Sequence, residues 1–377
     1  MNRLHKNILP LFCLLLAIST LASYNLFFRQ EIILILDGKV SNWSTVIINW
    51  LYPKFYVEKY RFPSDFFLAK TELVFYRGAS VFTVLGAFSF SLINNHWFTL
   101  KWNNFWDQKM DHRNIHILNC VYIIFVLFFT KDLYWDIIDL QTAAIYFYQP
   151  VFLLNLLGLG FPSVLATILL LLTFYITLGL AFFNKSRKWT FCIAICLFVY
   201  FEALLNGFQK IDHGFASFFY TGFGIALSNF ITNTLQEKAG KWPILLTQLW
   251  VTLCYFFAAL EKLTISGVDW FFSTHSIKSH LIALPTPFGL FISDYDWICT
   301  VILYITMITQ FGFITILFNK KLILPILLMG TFFHWGTTFF LGINQVINPW
   351  IAAYIIFIDW NKIPLLKKKS KTNRLSV

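Results

Sequence analysis

Stretches of about twenty largely uncharged, apolar residues recur along this chain, the length a helix needs to cross the hydrocarbon of a bilayer. About ten can be read, beginning near Ile8, Leu73, Ile115, Pro162, Thr190, His213, Pro243, Trp297, Leu322 and Gln345, the last of them short. Helices satisfy their own backbone in lipid, so such runs constrain the chain to helical spans. With 58% hydrophobic and only 12% charged residues over 377 positions, there is too little polar surface to clothe a soluble globule. The expected fold is therefore an all-α, polytopic membrane helical bundle, with membrane lipid as its constant partner.

The first run follows a basic start at Asn2 to Lys6 and resembles a signal peptide at Ile8 to Ala22. No convincing small-residue cleavage site follows, and the apolar character continues through Tyr24, Leu26 and Phe28, so the segment is expected to be a retained span. The net charge of +11 does not imply nucleic acid, because its densest cluster is a polar tail, Lys367, Lys368, Lys369, Lys371 and Arg374, placed as a cytoplasmic tail near anionic lipid would be. Short connections alternate in basic content. Lys101, Lys109 and Arg113, then Lys185, Arg187 and Lys188, then Lys238 and Lys241, then Lys320 and Lys321 mark one side, while Lys131, Lys210 and Lys278 stand nearly alone on the other. By the positive-inside rule both termini are expected in the cytoplasm of a plasma (inner) membrane protein. The long segment from Arg29 to Glu72 is expected outside despite its charge, since long segments translocate largely regardless of it.

That orientation gives the scattered ionisable residues a common depth. Arg77 falls early in the second span, Glu202 late in the fifth, Asp212 and His213 at the start of the sixth, Glu261 and Lys262 at the end of the seventh, and His334 beyond the middle of the ninth. Ionisable residues inside spans point by default to a functional site, here opening to the non-cytoplasmic side. Lys262 closes an almost purely apolar run from Pro243 to Leu260. It either snorkels to the interface or lines a cavity as an amine; an amine must be neutral to act as a base, and desolvation favours that form. Asp212 before His213 is equally a helix N-cap, and His334, flanked by Phe332, Phe333 and Trp335, is equally an imidazole bonded across helices. Glu202 and Arg77 read as packing partners or as members of the same cavity.

Other chemistry is absent from the pattern. Six cysteines lie in apolar segments without a CxxC spacing, so neither a disulfide framework nor a zinc site is expected. His275 and His280 bracket Lys278 five residues apart, which is not the four-residue helical spacing of a metal pair. No phosphate-cradling glycine loop occurs, so no nucleotide is expected, and no internal repeat suggests a common transporter architecture.

Three pieces nevertheless form an ordered set: DHGF at Asp212 to Phe215, LEKLTISGVDW at Leu260 to Trp270, and FFHWGTTFFLGINQVINPWIAAYIIF at Phe332 to Phe357. In order and spacing they resemble the transmembrane domain shared by vitamin K-dependent gamma-glutamyl carboxylase and its bacterial relatives, the horizontally transferred transmembrane (HTTM) domain. The resemblance covers about Asn114 to Trp360. It implies three regions: an N-terminal membrane segment, 1–113, with two spans and an external loop; an HTTM-like domain, 114–360; and a basic cytoplasmic tail, 361–377.

The resemblance also implies a chemistry. Lys262 matches the lysine held to deprotonate vitamin K hydroquinone, and His213 a histidine thought to stabilise the oxyanion. Glu261, His334, Glu202, Arg77 and Trp270 would contribute to the cavity, with a reduced quinone of the menaquinol or vitamin K type as cofactor. An exported peptide or protein would be the substrate of a carboxylase-like enzyme. Glu261 stands where the carboxylase has the first of two adjacent lysines, and Thr264 where it has an acidic residue. The carboxylase also continues into a large extramembrane domain, where this chain has its basic tail. The alternative is a non-enzymatic accessory membrane protein for maturation or export of a secreted, toxic peptide, with Lys262 as a binding or structural charge. Topology is testable first. In a cysteine-free background, cysteine at Lys278 should react with an impermeant thiol reagent in whole cells, and cysteine at Arg187 only after lysis; the opposite pattern would invert the orientation.

Overall fold

The structure is a computed structural model that describes residues 7–39, 45–46, 48, 55–143, 145–185, 187–208, 214–231, 238–267, 269–343 and 346–363. Among these residues, eight helical stretches are long and apolar enough to cross a membrane, and the chain is an all-α, multi-pass integral membrane protein. The first span is continuous from Ile8 to Leu36, comprising α1 (Ile8–Ser23), a π-helical step at Tyr24–Phe28 and α2 (Arg29–Leu36). The others are built on α3 (Ser64–Asn94), α4 (His112–Phe129), α5 (Val164–Phe182), α6 (Arg187–Leu205), α8 (Trp242–Ser266), α11 (Asp296–Gly312) and α12 (Ile323–Leu341). Between α6 and α8 lies α7 (Ala216–Ile231), whose 16 residues fall short of a full crossing.

The segment expected to form a tenth span from Gln345 instead makes α13 (Pro349–Ala353) and a 3-10 turn, Tyr354–Phe357. Asn348 caps α13 through a bond from Ile351 N at 3.0 Å, with Pro349 in its first turn, and the piece ends after nine residues. Its residues Ala352 to Phe357 are buried in protein, so their apolar character serves a core, not a crossing.

The chain divides into two compact units. One comprises Met1–Asn104, Leu133–Leu169 and Tyr200–Ile211; the other comprises Phe105–Asp132, Leu170–Val199 and Asp212–Val377.

In the first unit α1 packs on α3 through small side chains. Pro10, Cys13 and Ala17 bury one stripe of α1, and Ala79 and Gly86, seven residues apart, bury the facing stripe of α3. A Cβ on Gly86 would lie 3.2 Å from the Pro10 carbonyl oxygen and 3.3 Å from Cys13 Cβ, so glycine permits the close approach. Leu11, Leu15 and Ile18 on the opposite side of α1 stay exposed, as a lipid-facing surface requires.

The second unit is organised around α7 and α8. Gly222 accepts the Tyr122 ring of α4 and Gly224 accepts Thr247 of α8, each where a side chain would collide. Tyr122 Oη donates to the Phe218 carbonyl at 3.0 Å, and the amides of Asn119 and Asn229 exchange bonds of 3.0 and 2.9 Å across α4 and α7. With no hydrophobic force between helices in lipid, such close packing and amide bonding hold them together. Gln248 of α8 donates to the Ile356 carbonyl at 2.6 Å, tying the Tyr354–Phe357 turn to the bundle.

At the N-terminal end of α8, β1 (Lys109–Asp111) pairs antiparallel with β2 (Lys238–Gly240), and Lys241 N donates to the Gln108 carbonyl at 3.0 Å. Burial first, then the neighbouring Lys320 and Lys362 cations, push the Lys241 ammonium down to about 8, with Asp359 opposing. Because the folded value lies below the ordinary 10.5, the folded chain has lost a proton that the unfolded chain keeps between those two pH values. Stability therefore rises with pH across that window, and the charged ammonium weakens the fold below it. Lys241→Gln should be more stable than the native chain at pH 7 by about 1–2 kcal/mol and should lack most of the rise between pH 8 and 10. Thermal unfolding in detergent as a function of pH checks both.

Candidate functional site

A single stripe of α8 carries Gln248, Thr252, Tyr255, Ala259 and Lys262, spaced by alternating fours and threes so that all face the interior of the second unit. The helix ends four residues after Lys262, where Gly267 takes φ 64° and ψ −155°, a conformation open essentially to glycine alone. That turn folds the short helix Asp269–Phe272 back on α8, so that Trp270 packs with Ala259, Leu303 and Met307.

Lys262 is consequently drawn inward. Its Nζ donates to Gln310 Oε1 of α11 at 3.1 Å and to the Ala258 carbonyl at 3.2 Å, and lies 5.6 Å from the centre of the Trp270 ring. Both oxygens are uncharged. With two hydrogens so committed, the nitrogen has one remaining position, a lone pair in the amine or a third N–H in the ammonium.

Lys262 and Trp270 line a cavity of about 290 Å³, at the small end of the range for ligand pockets. Its walls come from α8, α11, α12 and α9 (His275–Ala283), and are mainly aliphatic and aromatic: Ile277, Ile302, Phe333 and Phe340 are examples. Ile305 of α11 and Phe332 of α12 line the cavity and are also exposed. Both helices are long and apolar enough to cross a membrane. Two hydroxyls lie on the wall. Thr306 Oγ1 donates to the Ile302 carbonyl at 2.8 Å and Thr337 Oγ1 to the His334 carbonyl at 2.7 Å.

Of the short helices nearby, α9 contributes Ile277, His280 and Leu281 to the cavity wall. Lys278 of α9 meets Asp296 of α11 at 2.5 Å, and Thr274 donates to the same carboxylate oxygen at 3.3 Å. Hydrogen bonding to Asp296 holds the Lys278 ammonium above its ordinary range. The adjoining α10 (Pro287–Ser293) starts at Thr286, which caps Gly289 N at 2.9 Å and bonds the Phe340 carbonyl of α12 at 3.0 Å. Gly289 packs against that carbonyl so closely that a Cβ would collide with it.

Of the other expected site residues, the structure describes His334, Glu261, Arg77 and Glu202. His334 is buried, with Nε2 2.5 Å from Tyr255 Oη, which in turn lies 2.7 Å from Tyr354 Oη. Tyr255 precedes Lys262 by two helical turns, about 10 Å along the axis, and His334 is not among the described residues that line the cavity. His334 therefore joins α8, α12 and the Tyr354–Phe357 turn in a tyrosine network, deeper in the bundle than Lys262. Glu261 is half-buried beside Lys262 but points about 100° away around the helix. Arg77 in α3 and Glu202 in α6 belong to the first unit. His213, with Asp212, lies outside the described residues.

Gln310, Thr306, Thr337 and His280 enter the site without having been anticipated as part of it. The three uncharged residues give little signal in an apolar run, although a glutamine in the segment VILYITMITQFG was the visible one. No known protein family, characterised protein or solved structure matches this chain.

Proposed function

We propose that the chain is an HTTM-like membrane enzyme that uses a reduced quinone, with Lys262 as the base. The observation that carries this reading is the setting of Lys262: an amine held by two neutral oxygens at the wall of a mainly apolar cavity, two of whose lining residues, Ile305 and Phe332, are also exposed on candidate membrane spans. A flat hydrophobic ring fits walls of Trp270, Phe333 and Phe340, and a quinol carrying an isoprenoid tail can enter between α11 and α12 without leaving the bilayer. The setting suits a phenolic hydroxyl, because Nζ keeps one position beyond its bonds to Gln310 and Ala258 and most of the wall needs only apolar contact.

In the carboxylase-like reaction a bound hydroquinone, with oxygen, supplies the strong base that removes a gamma proton from a glutamyl side chain before carbon dioxide adds. The part of Lys262 is narrower. Its amine takes the hydroxyl proton, and Gln310 and Ala258 hold the nitrogen in place for it. The apolar walls exclude water from the deprotonated oxygen. The substrate proposed is a glutamyl residue of an exported peptide or protein. Orientation supports an active face on the non-cytoplasmic side, since the basic Lys241, Lys320 and Lys362 gather at one end of α8 while the Lys262 cavity lies toward the other.

The accessory-protein reading rests on the position of Lys262 one turn from the end of α8, within reach of an interface. Substitution separates the two. Lys262→Arg keeps a cation that is not deprotonated in proteins, so turnover should fall as far as in Lys262→Ala, at least a hundredfold, while both variants still insert and fold. The assay follows hydroquinone oxidation to the epoxide, with and without a glutamyl peptide. Full activity in Lys262→Arg would remove the base assignment and leave the accessory reading in front.

A further inference from the structure

The wall of the Lys262 cavity carries a second nitrogen. His280 lies on α9, and its Nδ1 sits 2.6 Å from the Ser276 carbonyl oxygen one turn earlier. A carbonyl oxygen only accepts, so the hydrogen of this bond belongs to Nδ1, and in the neutral ring Nε2 is left with a lone pair. The position of the ring is set by its helix. Lys278 anchors α9 to Asp296, and Leu281 packs with Ile292 and Cys299.

The hydroxyls of the wall are committed in the same sense. Thr306 and Thr337 each give their hydrogen to a carbonyl of their own helix and can offer a ligand only oxygen lone pairs. Apart from Lys262 and the Trp270 indole N–H, the polar side chains on this wall, Thr306, Thr337 and His280, thus offer acceptors. A ligand that satisfies them has to bring its own hydrogens, and an apolar wall leaves room for few of them. We infer that His280 Nε2 accepts a hydrogen bond from one hydroxyl of a flat apolar diol whose other hydroxyl faces Lys262. The inference rests on the quinol reading of the cavity and adds to it a residue that selects the hydroxylated form of the ring.

The inference is tested by binding, without turnover. Menadiol and menadiol dimethyl ether are titrated anaerobically into the full chain in lipid nanodiscs, with tryptophan fluorescence as the readout. The diol should bind more tightly than the ether. His280→Phe should weaken diol binding about fivefold and leave the ether unchanged, which also reports an intact cavity. His280→Gln, whose side-chain carbonyl can still accept, should recover part of the loss. If His280→Phe keeps the native diol-to-ether ratio while Lys262→Met lowers it, the role of His280 is overturned and the quinol reading survives. If neither probe binds the native chain, the quinol reading fails and this inference fails with it.

Discussion

A primary amine inside a helix otherwise built for lipid has to be satisfied from within the protein, and Gln310 Oε1 and the Ala258 carbonyl do this for Lys262. Neither oxygen is charged, so the contacts hold the nitrogen without neutralising it. The alternative available to a lysine one turn from a helix end is to extend to the interface. The structure turns it inward because Gly267 stops α8 and returns Trp270 over the same face, and because α11 presents Gln310 within 3.1 Å. That nitrogen lies on the wall of a cavity to which α9, α11 and α12 also contribute.

The surrounding bundle follows from the same absence of water. Helices in lipid gain nothing by hiding apolar side chains from one another, so they associate where backbones approach closely or where polar groups pair. Gly86 against Pro10, Gly222 against Tyr122 and Gly224 against Thr247 supply close approach. The Asn119 and Asn229 amides and the Gln248 bond to Ile356 supply pairing. Tyr255, His334 and Tyr354 form a third such element, placing a histidine in a buried hydrogen-bonded chain instead of a ligand cavity.

The all-α, multi-pass character was legible from the length and spacing of apolar runs, since lipid crossing sets both. Segment length was harder to read where a core, not lipid, surrounds the residues. The run after Gln345 is as apolar as a span, yet it folds as two short turns because Pro349 and the Asn348 cap start it late and nothing extends it past Phe357. Lys262 stood out as a charge closing an apolar run, and Trp270 entered only with the family resemblance. Gln310 did not, because an amide in an apolar helix announces a partner without saying which. His280 was visible only as half of a poorly spaced histidine pair; its place on the cavity wall depends on α9 folding back beside α11 and α12, which no local pattern encodes. The depth argument grouped His334 with Lys262; the ring of His334 joins Tyr255 and Tyr354, while its neighbour Phe333 lines the cavity.

The central claim is that the Lys262 cavity holds a lipid-soluble aromatic ring. The most direct measurement is extraction of the protein with its native lipid, without detergent exchange, followed by mass spectrometry of bound quinones. The account predicts about one quinone or quinol per chain, enriched over the surrounding lipid, and its loss when the cavity is filled by Gly336→Trp in a chain that still folds. Quinone no richer than in bulk lipid, or equal retention in Gly336→Trp, would contradict it.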